Sequence, residues 1–139
     1  MEKLLKIPYT VFNKNWNLLQ QFLDRRGNPK YELVGDVKLL NRKDIFDLGN
    51  LVRIDGNLSL YWSSIQSLGS LVRVYGYLDL RETSIKSLGN LVRVDGYLDL
   101  RFTRIESLGN LEYVGGAVIL SKKHQIPEEQ LTKFQILYI

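Results

Sequence analysis

From Leu48 onward the chain repeats its apolar and polar positions every twenty residues. The blocks LGNLVRIDGNLSLYWSSIQS (48–67), LGSLVRVYGYLDLRETSIKS (68–87) and LGNLVRVDGYLDLRFTRIES (88–107) align without gaps, and the second and third agree at fifteen of twenty positions. A fourth block, LGNLEYVGGAVILSKKHQI (108–126), keeps the frame with one extra residue before Ile126. An earlier one runs through Leu33, Gly35, Val37, Leu39 and Ile45, with one residue inserted between Leu39 and Ile45. A fixed period of this length predicts a solenoid of about five coils, each burying its apolar face against its neighbours.

Twenty residues is too short for two helices per unit, so the coil is built from extended chain. Tyr97-Leu98-Asp99-Leu100-Arg101 alternates with period two, the mark of a half-buried strand. Leu91-Val92-Arg93-Val94 reads as a second short strand, with Asp95-Gly96 turning between them. Gly56, Gly76, Gly96 and Gly116 recur at that corner, which predicts either positive φ or a backbone approach that excludes a Cβ. Gly49, Gly69, Gly89 and Gly109 mark a second corner. The inward columns are those of Leu51, Ile54, Leu58, Leu60, Ile65 and Leu68 with their counterparts in the other coils. Ser63, Thr83 and Thr103 form a hydroxyl ladder that can satisfy backbone groups at the bend.

The chain divides as one domain over 1–139: an N-terminal capping segment (1–30), the repeats (31–126) and a C-terminal cap (127–139). Caps are expected because end coils expose core and strand edges. Residues 10–26 place Phe12, Trp16, Leu19 and Leu23 on one helical face, with Gly27 closing the helix and Pro29 stopping it. Pro127-Glu128-Glu129 offers a second helix start, and Gln135–Ile139 a closing strand. That apolar end strand is also a candidate edge for association of two copies through their end coils.

Composition narrows the chemistry. In 139 residues there is no cysteine and one histidine, His124, so Cys-based metal sites, thiolate nucleophiles and His-rich clusters are excluded, and no cofactor or metal is expected. His124 lies in the polar run SKKHQIP and is read as a solvated loop residue. Nothing demands an oxidising compartment, the N-terminus carries no signal-peptide pattern and no apolar run is long enough for a bilayer span, so the expectation is a cytoplasmic protein with no membrane partner. The net charge of +4 suggests nucleic acid until it is divided along the chain. Residues 1–30 carry six Lys/Arg against two acids, whereas 31–107 balance at ten each and 108–139 at three each. The repeats have no net charge with which to form a basic footprint.

The pattern V-x-G-x-L-x-L-x-x-T-x-I-x-S-L-x-x-L over 33–126 resembles a short leucine-rich repeat with threonine in place of the common asparagine. It is closer still to the receptor L domain, whose coils read similarly around Gly-Tyr-Leu, and similar repeats occur in small bacterial and bacteriophage proteins. The resulting expectation is a mainly β, right-handed solenoid with parallel sheets, a helical N-terminal cap and a short helix and strand at the C-terminus. The resemblance implies a binding module rather than an enzyme, and a bacterial or phage effector or inhibitor in the host cytoplasm.

The outward columns carry the candidate sites. Tyr77 and Tyr97, Asp79 and Asp99, and Arg81 and Arg101 stack in register, with Trp62 and Phe102 on the same edge and Glu82 between them. Aromatic rings beside arginine are the residue types enriched where proteins bind proteins. Trp62, Tyr77, Tyr97, Arg81, Arg101 and Phe102 are therefore the predicted partner contacts. The two aspartates on neighbouring rungs allow a glycosidase-like pair, but the simpler reading is a pair of solvated carboxylates matched by the arginines two residues on. Arg53, Arg73 and Arg93 form a second column able to hold an anion, partly neutralised by Asp55 and Asp95. Beside it Val52, Val72 and Val92 form a half-exposed stripe that Glu112 ends. A protein partner is the preferred expectation. Binding of a nucleotide, nucleic acid or glycan through the arginine columns, or self-association, is the alternative.

Overall fold

The structure, a computed structural model, describes residues 4–139; two of the N-terminal charges, Glu2 and Lys3, lie outside them. In chain order the strands are β1 (Leu5–Pro8), β2 (Tyr31–Val34), β3 (Val37–Lys38), β4 (Leu51–Asp55), β5 (Leu58–Ser59) and β6 (Arg73–Val74). They continue as β7 (Leu78–Asp79), β8 (Arg93–Val94), β9 (Leu98–Asp99), β10 (Tyr113–Val114), β11 (Val118–Leu120) and β12 (Ile136–Tyr138), with helix α1 (Trp16–Asp24) between β1 and β2. They form two six-stranded sheets, β1-β2-β4-β6-β8-β10 and β12-β11-β9-β7-β5-β3, in which every recorded pair is parallel. This is a parallel β-solenoid of about five coils, mainly β, with coil-to-coil register of twenty residues: Leu58 faces Leu78 and Leu78 faces Leu98. The first coil departs from that register through a bulge between Tyr31 and Glu32, which places Glu32 opposite Arg53.

The inward columns are where the period places them. Leu51, Leu71 and Leu91, and Leu58, Leu78, Leu98 and Val118, are wholly buried, and the remaining columns continue the same core from Ile7 to Leu131. The hydroxyl ladder serves the backbone: Thr83 Oγ1 donates to the Leu80 carbonyl at 2.7 Å and Thr103 Oγ1 to that of Leu100 at 2.8 Å.

Both explanations apply at the glycine corner: Gly35 and Gly56 have φ +118 and +156, whereas at Gly76 and Gly96 close approach alone excludes a Cβ. Gly76 and Gly96 do not have positive φ, but a Cβ on Gly96 would lie 2.8 Å from the Gly76 carbonyl carbon and from the Tyr77 nitrogen. At the other corner Gly49, Gly69, Gly89 and Gly109 all have positive φ; nothing lies near the missing Cβ of Gly49 or Gly89, whereas a Cβ on Gly69 or Gly109 would lie 2.5 or 2.6 Å from a glycine oxygen of the coil before.

The caps differ in detail from their expected outlines. The predicted helix over 10–26 is divided into a 3-10 turn at Tyr9–Phe12 and α1, because Asn13 and Lys14 take positive φ and Asn15 caps α1 by accepting the Leu18 N–H at 3.1 Å. Trp16, Leu19 and Leu23 are buried as expected, while Phe12 is half-buried against Phe22. Strand β1 is absent from the sequence expectation; a four-residue segment ending in proline carries too little alternation to register. At the other end Pro127 precedes a single 3-10 turn, Glu128–Gln130, and Gln130 Oε1 accepts the Leu108 N–H at 2.8 Å. The closing strand forms as β12 on β11. His124 is not a solvated loop residue: its ring stacks on Tyr138 and its Nδ1 accepts the Ile126 N–H at 3.1 Å. No helix is long and apolar enough to cross a membrane among the described residues.

Candidate functional site

The outer face of the β5-β7-β9-β11 sheet brings four of the six predicted contact residues into one plate. Register puts Tyr77 beside Tyr97, and their rings stack at 4.8 Å between centroids with planes 6° apart. Below them in the strand lie Asp79 and Asp99, and then Arg81 and Arg101. The aspartates are not solvated, contrary to the expectation above; they are 5% and 3% exposed. Each is covered by its own arginine. Arg81 Nε and Nη2 bond the two oxygens of Asp79 at 2.9 and 2.8 Å, and Arg101 repeats this on Asp99 at 3.0 and 2.7 Å.

The chain bends after each aspartate, so Asp Oδ1 also accepts the arginine's own backbone N–H, at 3.1 Å in one coil and 3.2 Å in the next. That bend is what allows two residues on the same face to meet side-on. The rungs are cross-linked as well: Arg81 Nε lies 3.6 Å from Asp99 Oδ2, and Ser59 Oγ donates to Asp79 at 3.5 Å. The Arg81 guanidinium lies 4.7 Å from the Tyr61 ring centroid. Each guanidinium thus engages its Nε–Nη2 edge with aspartate and leaves Nη1 outside the fork. Burial and the neighbouring Tyr77, Asp79 and Asp99 push the Tyr97 hydroxyl above the usual tyrosine range, so it remains a neutral donor.

Trp62 and Phe102, the other two predicted contacts, stand at the edge of this plate on the turn after the strand. They are 51% and 62% exposed. Their backbone was not anticipated: Asn41, Trp62, Glu82 and Phe102 occupy one corner of successive coils, all with φ between 58° and 59°. Left-handed backbone favours glycine or asparagine and is an outlier for bulky side chains. Asn41 was the one sequence signal for this corner.

The arginine column of the other sheet is also internally matched. Arg53 Nε bonds Glu32 at 2.8 Å, and Arg73 and Arg93 share Asp95, each at 2.6 Å. Glu32 therefore does what was expected of Asp55, because the bulge in β2 swings it opposite Arg53. Arg73 and Arg93 further lie 4.0 and 4.1 Å from the Tyr75 and Tyr113 rings. The Nε of Arg73 is the buried side-chain polar atom left without a partner among the described residues. Val52, Val72 and Val92 are half-buried beside this column.

Burial opposes ionisation of Asp95, but the hydrogen bonds and charges of Arg73 and Arg93 outweigh it and hold its carboxyl below the usual range. A carboxylate lowered in the folded state contributes stability that is present above its unfolded pKa, near 3.9, and lost as pH falls through the lower folded value. Asp95→Asn is therefore expected to lower stability by about 1–2 kcal/mol at pH 7 and to lose less than the wild type does below pH 4. Urea titrations at pH 7 and pH 3 check both statements.

Among the described residues no group of three or more His, Asp or Glu is placed to hold a metal ion. Comparison with protein-family models, curated proteins and solved structures returned no match. The fold and this face define a parallel β-solenoid repeat protein.

Proposed function

We propose that the chain is a non-enzymatic binding module of leucine-rich-repeat or receptor L-domain type that holds a protein partner on the plate of Tyr77, Tyr97, Arg81 and Arg101, flanked by Trp62 and Phe102. The observation that carries this reading is the plate itself: large rings and tethered guanidinium groups set on a rigid sheet, with side chains already ordered before binding. A catalytic role for Asp79 and Asp99 has little support, since both oxygens of each carboxylate are held by arginine. The anion reading of Arg53, Arg73 and Arg93 is likewise weakened by Glu32 and Asp95. A bacterial or phage effector or inhibitor working in the cytoplasm fits a cysteine-free repeat of this length.

The test is the variant Tyr77→Ala/Tyr97→Ala. Losing one cross-strand pair should cost about 1 kcal/mol of stability, while affinity for the captured partner should fall at least ~10-fold. Capture should survive ~0.5 M salt, whereas nucleic acid held through arginines would be released. Unchanged affinity in the folded variant moves the contact to the other sheet.

A second reading rests on β12. Its outer edge is unpaired among the described residues, and Leu137, Tyr138 and Ile139 are 47%, 44% and 57% exposed, with no charge or proline to block pairing. Light scattering across a concentration series should show mass rising with concentration if copies join there. Leu137→Lys should then hold the chain monomeric.

A further inference from the structure

We propose that the corner formed by Trp62, Glu82 and Phe102 is a receptor for a cationic side chain, so that the partner inserts an arginine or lysine between the two rings. This rests on the reading of the neighbouring plate as a protein-binding face and specifies the chemistry of what binds there. The turn itself takes left-handed backbone in four successive coils, and what it does not favour there is a bulky side chain. Three successive coils hold non-glycine residues at φ 58°, 58° and 59°, and the first coil meets the same geometry with Asn41, the residue type that tolerates it. Strain kept at exposed positions is a mark of use. Packing does not supply the reason for Phe102, which is 62% exposed.

Spacing and charge say what would fit. Coils repeat at about 4.8 Å, so the Trp62 and Phe102 backbones stand roughly 9–10 Å apart with Glu82 on the rung between. A cation seated over that rung could lie within the ~6 Å over which an aromatic face attracts it, on both sides, with a carboxylate at hand. The cations nearest in sequence are otherwise engaged: Arg81 and Arg101 are held by Asp79 and Asp99. Lys86 and Arg104 line a groove of about 500 Å³ with Gln66 and Ser84, and neither forms an ion pair with Glu82. Glu82 has no ion-pair partner among the described residues. The Trp62 ring already meets one cation, as the Lys43 ammonium lies 5.7 Å from its centroid while donating to the Trp62 carbonyl, and it stacks on Tyr61 at 6.1 Å.

The probes are N-acetylarginine amide and, as its opposite in charge, N-acetylglutamate amide, followed by NMR of the ¹⁵N-labelled protein. Only two indole N–H signals exist, and Trp16 is buried, so it serves as the internal control. The arginine probe should shift the Trp62 indole and the Glu82 amide saturably, with a Kd on the order of 10 mM, leaving Trp16 in place. Glu82→Gln should weaken this at least ~3-fold, and Phe102→Asn should abolish it while raising Tm by about 3 °C through relief of strain. No saturable shift, an equal shift with the glutamate probe, or a lowered Tm in Phe102→Asn overturns the proposal. The plate reading is tested separately by capture with Tyr77→Ala/Tyr97→Ala, so the two can fail independently.

Discussion

Gly96→Val is expected to leave the chain unfolded or nearly so at room temperature, with a loss of at least ~4 kcal/mol. The reason is contact between coils and not backbone conformation. Gly96 donates its N–H to the Gly76 carbonyl at 2.9 Å and accepts from Gly116 at 3.0 Å, so three coils are joined through this one corner. A Cβ there would meet the Gly76 carbonyl carbon and Tyr77 nitrogen at 2.8 Å and the Gly76 oxygen at 2.9 Å, all backbone atoms that cannot rotate aside. Opening the corner would lift coil four from coil three and break the bonds on either side. Gly89→Ala is the control: nothing lies near its Cβ, and its φ of +56° should limit the cost to about 1 kcal/mol. Urea unfolding of the two variants separates the mechanisms. If Gly96→Val unfolds within ~0.5 kcal/mol of the wild type, the coil-stacking account of the corner is wrong.

Asp99→Ala should cost about 3 kcal/mol, far more than the loss of a surface charge. The Asp99 side chain is 4% exposed and accepts the Arg101 backbone N–H, Nε and Nη2, with Arg81 Nε 3.6 Å away. Its removal leaves one backbone donor and one guanidinium edge without acceptors beneath the tyrosine stack. The companion change Arg101→Met should recover part of the loss by removing the stranded charge, as replacing both members of a buried pair commonly does. Chemical denaturation of the two singles and the double closes the cycle. Wild-type stability in Asp99→Ala would mean the carboxylate is solvated after all.

The repeat made the fold legible, because one inward column misassigned would have broken the twenty-residue frame in every coil. Leu58, Leu78, Leu98 and Val118 were readable for that reason. The site was half legible. Tyr77 stacks on Tyr97 by register alone, and both follow from the period. Burial of Asp79 and Asp99 was hidden, because alternation assigns a residue to the outer face without saying what folds over it. The i, i+2 pairing of each aspartate with its arginine was expected and forms, but its two-pronged, buried geometry needs the bend after the strand, which a residue pattern does not carry. The pairing of Glu32 with Arg53 was hidden for a similar reason: the bulge at Tyr31 shifts the register by one residue just where the repeat begins. The left-handed corner had only Asn41 to announce it, since Trp62, Glu82 and Phe102 all argue against such a backbone.

The central claim is that the partner sits on the tyrosine–arginine plate and the aromatic corner beside it. Site-specific photo-crosslinking tests it most directly, with a benzophenone side chain placed in turn at positions 77, 97 and 102, and at 52, 72 and 92 on the other sheet, in lysate of the cells that carry the protein. The account predicts one protein adduct of constant mass from 77, 97 and 102, resistant to nuclease and to raised salt, with none from 52, 72 or 92. Adducts confined to 52, 72 and 92, or adducts lost on nuclease treatment, would contradict it.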